Sequence, residues 1–545
     1  MRVFVHQRAV DLPPDTFVAD GGEAVVHAIG DVAYKVFHQP IDPARLRALT
    51  RLHVPGALLP DALLTDDQGR CVGHTMPFLP RSVPWARLLA RSYCDRHGIA
   101  VPQLLRLVAR LRDRVEAVHR AGALVVDLHE GNILLDEHHD RPVLVDTSSW
   151  QLPGHPATAI QQGVRDRHSQ GFDEGTDWFS FAVVTLHLLL GIHPYRGTHP
   201  RVKGLDERMF QRLSVLCPEV RRPAVCRPDD VVPSRWRRWY RAVLDGDTRG
   251  PPPTGPLDTI TWTPRPSPTA RRLTLDRLLT APDEVLEAAE AAGVVAVRTA
   301  RGVSVGPHHY VGPAERVVIT PEGDVVAAWR AGGRLHLHDV ARAQAVGCQL
   351  AADALTVSDG ALVVRSGPRL VELRLQRLGE RVHALPHLLA TVLREATELF
   401  DGLAFENLLG RTHLRLLSRG RCDTVAVPFL DGTTVLDAHH HAGVVVLLAR
   451  RDGRTDRWVL RRTGAGLDTR HTEDVEVADV ELVRLPTGVC LLRTGARLEI
   501  FRDRPGDPDV RTLEDPVLGH GRLVGLDGTV GFVAGREVHR LRLRP

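Results

Sequence analysis

In the second half of the chain, a unit of strand, glycine turn, strand, glycine turn and strand recurs about every 40 residues. The second turn of each unit carries a glycine, at Gly333, Gly367, Gly410, Gly453, Gly495 and Gly535, giving steps of 34, 43, 43, 42 and 40 residues. Arg316 to Val340 (RVVITPEGDVVAAWRAGGRLHLHDV) and Arg522 to Leu543 (RLVGLDGTVGFVAGREVHRLRL) show the unit well. A single unit cannot bury its apolar face, whereas neighbours stacked around an axis can. A period near 40 with three or four strands per repeat is the pattern of propeller blades. Six units are legible, and Gly293 to Val305 offers a seventh or a closing strand. The expectation is an all-β propeller of six or seven blades, with an irregular β-sandwich as the competing arrangement.

At 545 residues the chain exceeds what one hydrophobic core supports. Arg249 to Pro268 (RGPPPTGPLDTITWTPRPSP) spaces its prolines so as to forbid helix and favour an extended connector. The expected division is residues 1–248, a Pro-rich linker at 249–275 and the propeller at 276–545. Ahead of the linker, short apolar strands give way to helical patterns such as Pro102 to Arg120, with apolar residues recurring at three and four. The front part is therefore α+β.

Composition excludes several classes. The formal charge is only +4 and arginine is spread along the chain. The run Arg235 to Arg241 (RWRRWYR) fits a half-buried amphipathic helix better than a nucleic-acid surface, so no nucleic-acid partner is inferred. The longest apolar stretch, Phe179 to Ile192, is interrupted by Thr185 and His187, so no membrane span is expected. The first residues lack the apolar core of a signal peptide, which makes a cytoplasmic location the expectation. Seven scattered cysteines without a CxxC pair fit reduced thiols. His439-His440-His441 fits a polar turn before Ala442-Gly443, since three adjacent side chains on an extended chain cannot all face one ion.

Only two lysines stand against 68 arginines, and one of them, Lys35, lies in Val32-Ala33-Tyr34-Lys35-Val36-Phe37. Ammonium and guanidinium are not interchangeable where a point charge must meet phosphate oxygens. Downstream come Asp127-Leu128-His129-Glu130-Gly131-Asn132 and Val143-Leu144-Val145-Asp146.

These residues resemble the protein-kinase-like superfamily. Asp127 and Asn132, five apart, resemble its D-x-x-x-x-N catalytic loop, and Asp146 resembles the metal-binding Asp of its DFG segment. Val18-Ala19-Asp20-Gly21-Gly22-Glu23-Ala24-Val25-Val26 looks like the Gly-rich loop, with Val26 in the adenine-packing place. Cys71 to Leu79 (CVGHTMPFL) resembles the run into the hinge, where adenine meets backbone groups and only the carbonyl of Pro77 is needed. Gly175 to Val184 and Leu189 to Tyr195 resemble a C-lobe run in which Asp177 bonds catalytic-loop backbone, and Arg249 resembles the late C-lobe arginine. The phrases GGE, KVFH, GNILLD and VDTSSWQ look most like a divergent bacterial serine/threonine kinase-like group. In that group an Asp-Thr-Asp-Ser motif replaces DFG, and here it reads Asp146-Thr147-Ser148-Ser149.

The resemblance implies a bilobal α+β kinase-like domain that uses ATP and Mg²⁺. Lys35 would hold the α- and β-phosphates, Asn132 and Asp146 the metal, and Asp127 the attacking hydroxyl. Catalytic roles thus fall to Asp127, Lys35 and Asn132, and nucleotide binding to Gly21, Gly22, Val26, Lys35, Pro77, Leu79, Asn132 and Asp146. Three features depart from the pattern. No glutamate occurs between Lys35 and Met76, Val125-Val126 replaces His-Arg, and no Ala-Pro-Glu follows Trp150. The expected function is a serine/threonine protein kinase whose propeller recruits a protein partner or substrate. An ATP-binding pseudokinase scaffold and a small-molecule phosphotransferase are the alternatives, the latter because DLHxxN also resembles antibiotic kinases.

Overall fold

A computed structural model describes residues 1–157, 160–223, 226–255, 272–463, 466–476, 481–504 and 510–543. Most of the anticipated linker, residues 256–271, lies outside the described residues. The chain is mostly β, with few helices.

Seven strands open the fold: β1 (Arg2–Val5), β2 (Arg8–Asp11), β3 (Phe17–Asp20), β4 (Ala24–Ile29), β5 (Val32–Phe37), β6 (Ala62–Thr65) and β7 (Cys71–Pro77). They form one antiparallel sheet in the order β2-β1-β6-β7-β5-β4-β3. β5 is flanked on both sides, so Lys35 sits opposite Val26 on β4 and His74 on β7. The approach of β7 is close at Gly73, where a Cβ would stand 2.0 Å from the Lys35 carbonyl oxygen.

Among the described residues, six α-helices follow or interrupt this sheet: α1 (Pro43–Leu49), α2 (Arg91–His97), α3 (Val101–Arg120), α4 (Glu174–Leu190), α5 (Leu205–Phe210) and α6 (Ser234–Leu244). α3 carries the anticipated stripe, burying Leu104, Leu107, Val108, Leu111, Val115 and Val118. α4 is buried on every side from Thr176 through Leu190, as expected of a helix at the centre of a core. Asp173 and Thr176 close a capping box at its start, and Gly191 ends it in the left-handed conformation. The arginine-rich run forms α6, whose Trp236, Trp239 and Tyr240 are buried. Among the described residues no helix is long and apolar enough to cross a membrane.

Among the described residues the second half forms seven four-stranded antiparallel sheets in a propeller-like arrangement, so seven blades are seen. The first strand of each sheet touches the first strand of the next, and the first sheet touches the seventh, so the ring closes. Closure is made by Leu273–Thr280, which pairs with the last strand, Glu537–Leu543. Of the two options for Gly293 to Val305, a seventh unit or the closing strand, the first holds: it supplies the second and third strands of the first sheet. That sheet escaped the glycine count because its equivalent turn is Ala300-Arg301, with Gly302 already in the next strand. The six glycines of the repeat all have φ between 58° and 84°, the left-handed region that lets two residues reverse a strand.

His439-His440-His441 is not a turn. It ends the strand Thr434–His441 at the ring's axis, beside a cavity of about 320 Å³ that Arg96 of α2 also lines. The alternation of a strand puts His439 and His441 on one face, their rings stacked 6.3 Å apart, and His440 on the other: His439 pairs with Asp401 at 2.5 Å, whereas His440 bonds the Gly402 carbonyl at 3.1 Å. Among the described residues no group of three His, Cys, Asp or Glu side chains is placed to hold a metal.

α2 and the turn before it pack on the ring. Arg96 and Ser92 both bond the buried Asp437, Arg87 pairs with Glu398, and Arg298 donates to the Arg96 carbonyl at 3.1 Å. Apolar residues of both parts, among them Trp85, Leu128, Leu436 and Val446, share one buried cluster.

Candidate active site

Three segments converge beside β5. A short hairpin of Ile133–Leu135 and Pro142–Leu144 pairs Ile133 with Leu144, and the Val145 amide donates to the Asn132 carbonyl at 3.0 Å. Asn132 and Asp146 therefore emerge from the same end of that hairpin. The Lys35 ammonium is ion-paired with Asp146 and lies 3.1 Å from Ser148 Oγ, which itself donates to Asp146 Oδ1 at 3.0 Å. Burial by itself would push the Asp146 carboxyl up. The Lys35 charge and the two hydrogen bonds outweigh it and hold the group below its ordinary value.

Asp127 faces the same space. Its Oδ1 accepts from the Gln161 amide at 2.7 Å, and Asn132 Nδ2 donates to its carbonyl at 3.1 Å and to Oδ2 at 3.3 Å. His129 Nε2 is 3.5 Å from Oδ2. Burial alone would lower the His129 pKa, but the hydrogen bond and charge of Asp127, with Glu130 beside it, raise it above the ordinary value.

The backbone that aims Asp127 is held from below. Val126 has φ 60°, a conformation that a β-branched residue adopts only under constraint. Asp177, fully buried on α4, supplies that constraint: its carboxylate accepts from the amides of Val125 and Val126 at 2.8 Å each and from His119 Nε2 at 2.8 Å. Arg249 pairs with Asp166, so an acid in the segment after Trp150 does engage this arginine.

Lys35, Val26, Asn132, Asp127 and Asp146 are thus brought together. Gly21 and Gly22 form the exposed turn between β3 and β4, near His38, whose Nε2 lies 3.0 Å from the Gly21 carbonyl. Pro77 lies at the other end of β5, paired with Val32, and half-buried Leu79 follows it. These two groups bracket Lys35 along the strand.

Four contributors were not foreseen. Ser148 stands where the kinase-like motif has its second acid and bridges Lys35 and Asp146. From α1, which offers no glutamate, Arg45 donates to the carbonyls of Ser148, Trp150 and Pro156 at 2.6, 2.6 and 2.7 Å and fixes the segment after Asp146. One arginine among 68 bears no mark that sequence could reveal. Gln161 acts through its backbone amide, invisible in residue type. Glu130, buried next to His129, is ion-paired with Arg450 of the fifth sheet.

The donor set fits a hard divalent cation: a carboxylate from Asp146 and the amide oxygen of Asn132, left free because Nδ2 bonds Asp127. Two protein oxygens leave the remaining positions for phosphate and water, as magnesium favours. No protein-family model matches the chain, and no curated protein matches it.

Proposed function

We propose that the chain is a kinase-like phosphotransferase that moves the γ-phosphoryl group of ATP to an alcohol of a serine or threonine. The observation that carries this reading is the convergence of Lys35, Asp127, Asn132 and Asp146, drawn from segments up to 111 residues apart, around one space. The residue types match a reaction in which positioning and charge neutralisation do most of the work. Lys35 meets phosphate oxygens as a compact cation, and Asp127 orients the acceptor hydroxyl and takes its proton. Asn132 holds Asp127 in place and, with Asp146, would bind Mg²⁺. When bound, Mg²⁺ supplies neutralisation of phosphate charge. Val26, Gly21, Gly22, Pro77 and Leu79 would enclose the nucleotide. In this reading residues 1–248 form the bilobal kinase-like domain, and the ring presents a surface for a protein partner or substrate.

One observation favours a second reading, an ATP-binding scaffold without turnover. α1 gives Lys35 no carboxylate partner, and among the described residues the lysine's ion pair and hydrogen bond go to Asp146 and Ser148, with the Phe37 ring 5.2 Å from its ammonium. Purified protein incubated with Mg²⁺ and labelled ATP separates the two. Transfer to the chain or to a generic serine/threonine protein acceptor, lost in Asp127→Asn, supports catalysis. Mg-dependent ATP binding without transfer selects the scaffold. Full activity in Lys35→Arg removes the lysine's special role.

A further inference from the structure

Glu130 lies between His129 and Gly131 in the loop that carries Asp127, and it is 5% exposed. Its carboxylate pairs with Arg450 from the second strand of the fifth sheet, 320 residues away; Arg450 Nε donates to Oε1 at 2.6 Å. The guanidinium is fixed from its own side as well, since Nη1 donates at 2.8 Å to the hydroxyl of Thr455, the residue paired with Arg450 across the hairpin. At the tip of that hairpin, a Cβ on Gly453 would stand 3.5 Å from the side chain of Gln161. Gln161 is the residue whose amide holds Asp127 Oδ1. One hairpin of the ring, residues 444–463, therefore backs both groups that border Asp127: its own loop, through Glu130, and Gln161.

We infer that this hairpin is part of the phosphotransfer site and that Arg450 is a positioning residue for Asp127, acting through Glu130. The inference rests on the phosphotransferase reading. It makes the ring more than a recruiting surface: the loop bearing the catalytic aspartate is completed by a residue from the other half of the chain. The apolar cluster and the Arg96–Asp437 and Arg87–Glu398 pairs fix the two parts against each other, so the contact is a standing one rather than a transient closure.

The test uses the full chain and three variants: Arg450→Ala, Glu130→Gln, and the double variant. Single-turnover transfer from labelled Mg-ATP, the Kd for Mg-ATP and the thermal midpoint are measured for each. Arg450→Ala is expected to slow transfer at least tenfold while the Kd for Mg-ATP changes much less, because Asn132 alone of the residues assigned to Mg-ATP lies on the loop that Glu130 anchors. Arg450→Ala also strands a buried carboxylate, which Glu130→Gln removes. In the double variant the thermal midpoint should recover while transfer stays at least tenfold down. Recovery of both together would show that the pair serves stability alone and would overturn the inference, as would unchanged transfer in Arg450→Ala.

If the wild type binds ATP without transfer, the phosphotransferase reading fails. Hydrogen exchange of residues 124–135 then decides the positioning contact by itself: faster exchange in Arg450→Ala and in the double variant supports it, and unchanged exchange overturns it.

Discussion

Lys35 and Asp146, 111 residues apart in sequence, are ion-paired, with the Ser148 hydroxyl 3.1 Å from the ammonium and 3.0 Å from the carboxylate. The lysine side chain is 11% exposed and the aspartate 35%. Lys35→Met leaves Asp146 with Ser148 as its remaining side-chain partner. The pair is only partly buried, so the expected loss is about 1–2 kcal/mol in urea unfolding at pH 7. A fluorescent ATP analogue should bind at least tenfold more weakly. Unchanged affinity would take Lys35 out of the phosphate site.

Asp177 is the firmest structural support of the loop. It accepts three hydrogen bonds while fully buried. Asp177→Ala strands two amides and a histidine and frees Val126 from its left-handed conformation. The expected destabilisation is about 3–5 kcal/mol by denaturant unfolding, the range for breaking a buried charged network. A loss below about 1 kcal/mol would show that the loop is held by other means.

Acid should test the junction between the two halves. Burial pushes the Glu130 carboxyl up, but Arg450, with His129 and His187 behind it, brings it down to about 2. A carboxyl depressed in the folded state contributes stability above its unfolded value, near 4.5, and loses it as pH falls towards 2. The gap corresponds to about 3 kcal/mol. Stability of the wild type should therefore fall between pH 4.5 and 2 more steeply than that of Glu130→Gln, measured by urea unfolding across the window. Parallel curves would exclude the linkage.

Two glycines of unlike surroundings give a paired test. Gly535 has φ 58° and open space around it, so Gly535→Ala meets only the backbone penalty, about 1–2 kcal/mol. In Gly73→Ala the new methyl would stand 2.0 Å from the Lys35 carbonyl oxygen, and two paired strands must part. The second variant should lose ATP binding along with stability, whereas the first should bind normally. Equal effects on binding would mean that β7 does not set the place of Lys35.

Sequence alone carried the architecture of the second half because a ring repeats one local rule: alternating strands joined by turns that need positive φ. The repeat therefore surfaced as Gly333, Gly367, Gly410, Gly453, Gly495 and Gly535. Where the rule was bent, at Ala300-Arg301, the first sheet lacked its marker glycine, and Gly293 to Val305 read equally as a seventh unit or a closing strand. Closure was also hidden, because the pairing of Leu273–Thr280 with Glu537–Leu543 joins segments with no local relation.

At the site, the scarcity of lysine singled out Lys35, and resemblance to the kinase-like motifs singled out Asp127, Asn132, Asp146 and Asp177. Tertiary structure decided what holds them. Ser148 between Lys35 and Asp146, Arg45 on three carbonyls, the Gln161 amide on Asp127 and Arg450 on Glu130 act through position rather than identity. An arginine or a backbone amide is common to the whole chain, and only packing the ring against the Asp127 loop gives one of them a role.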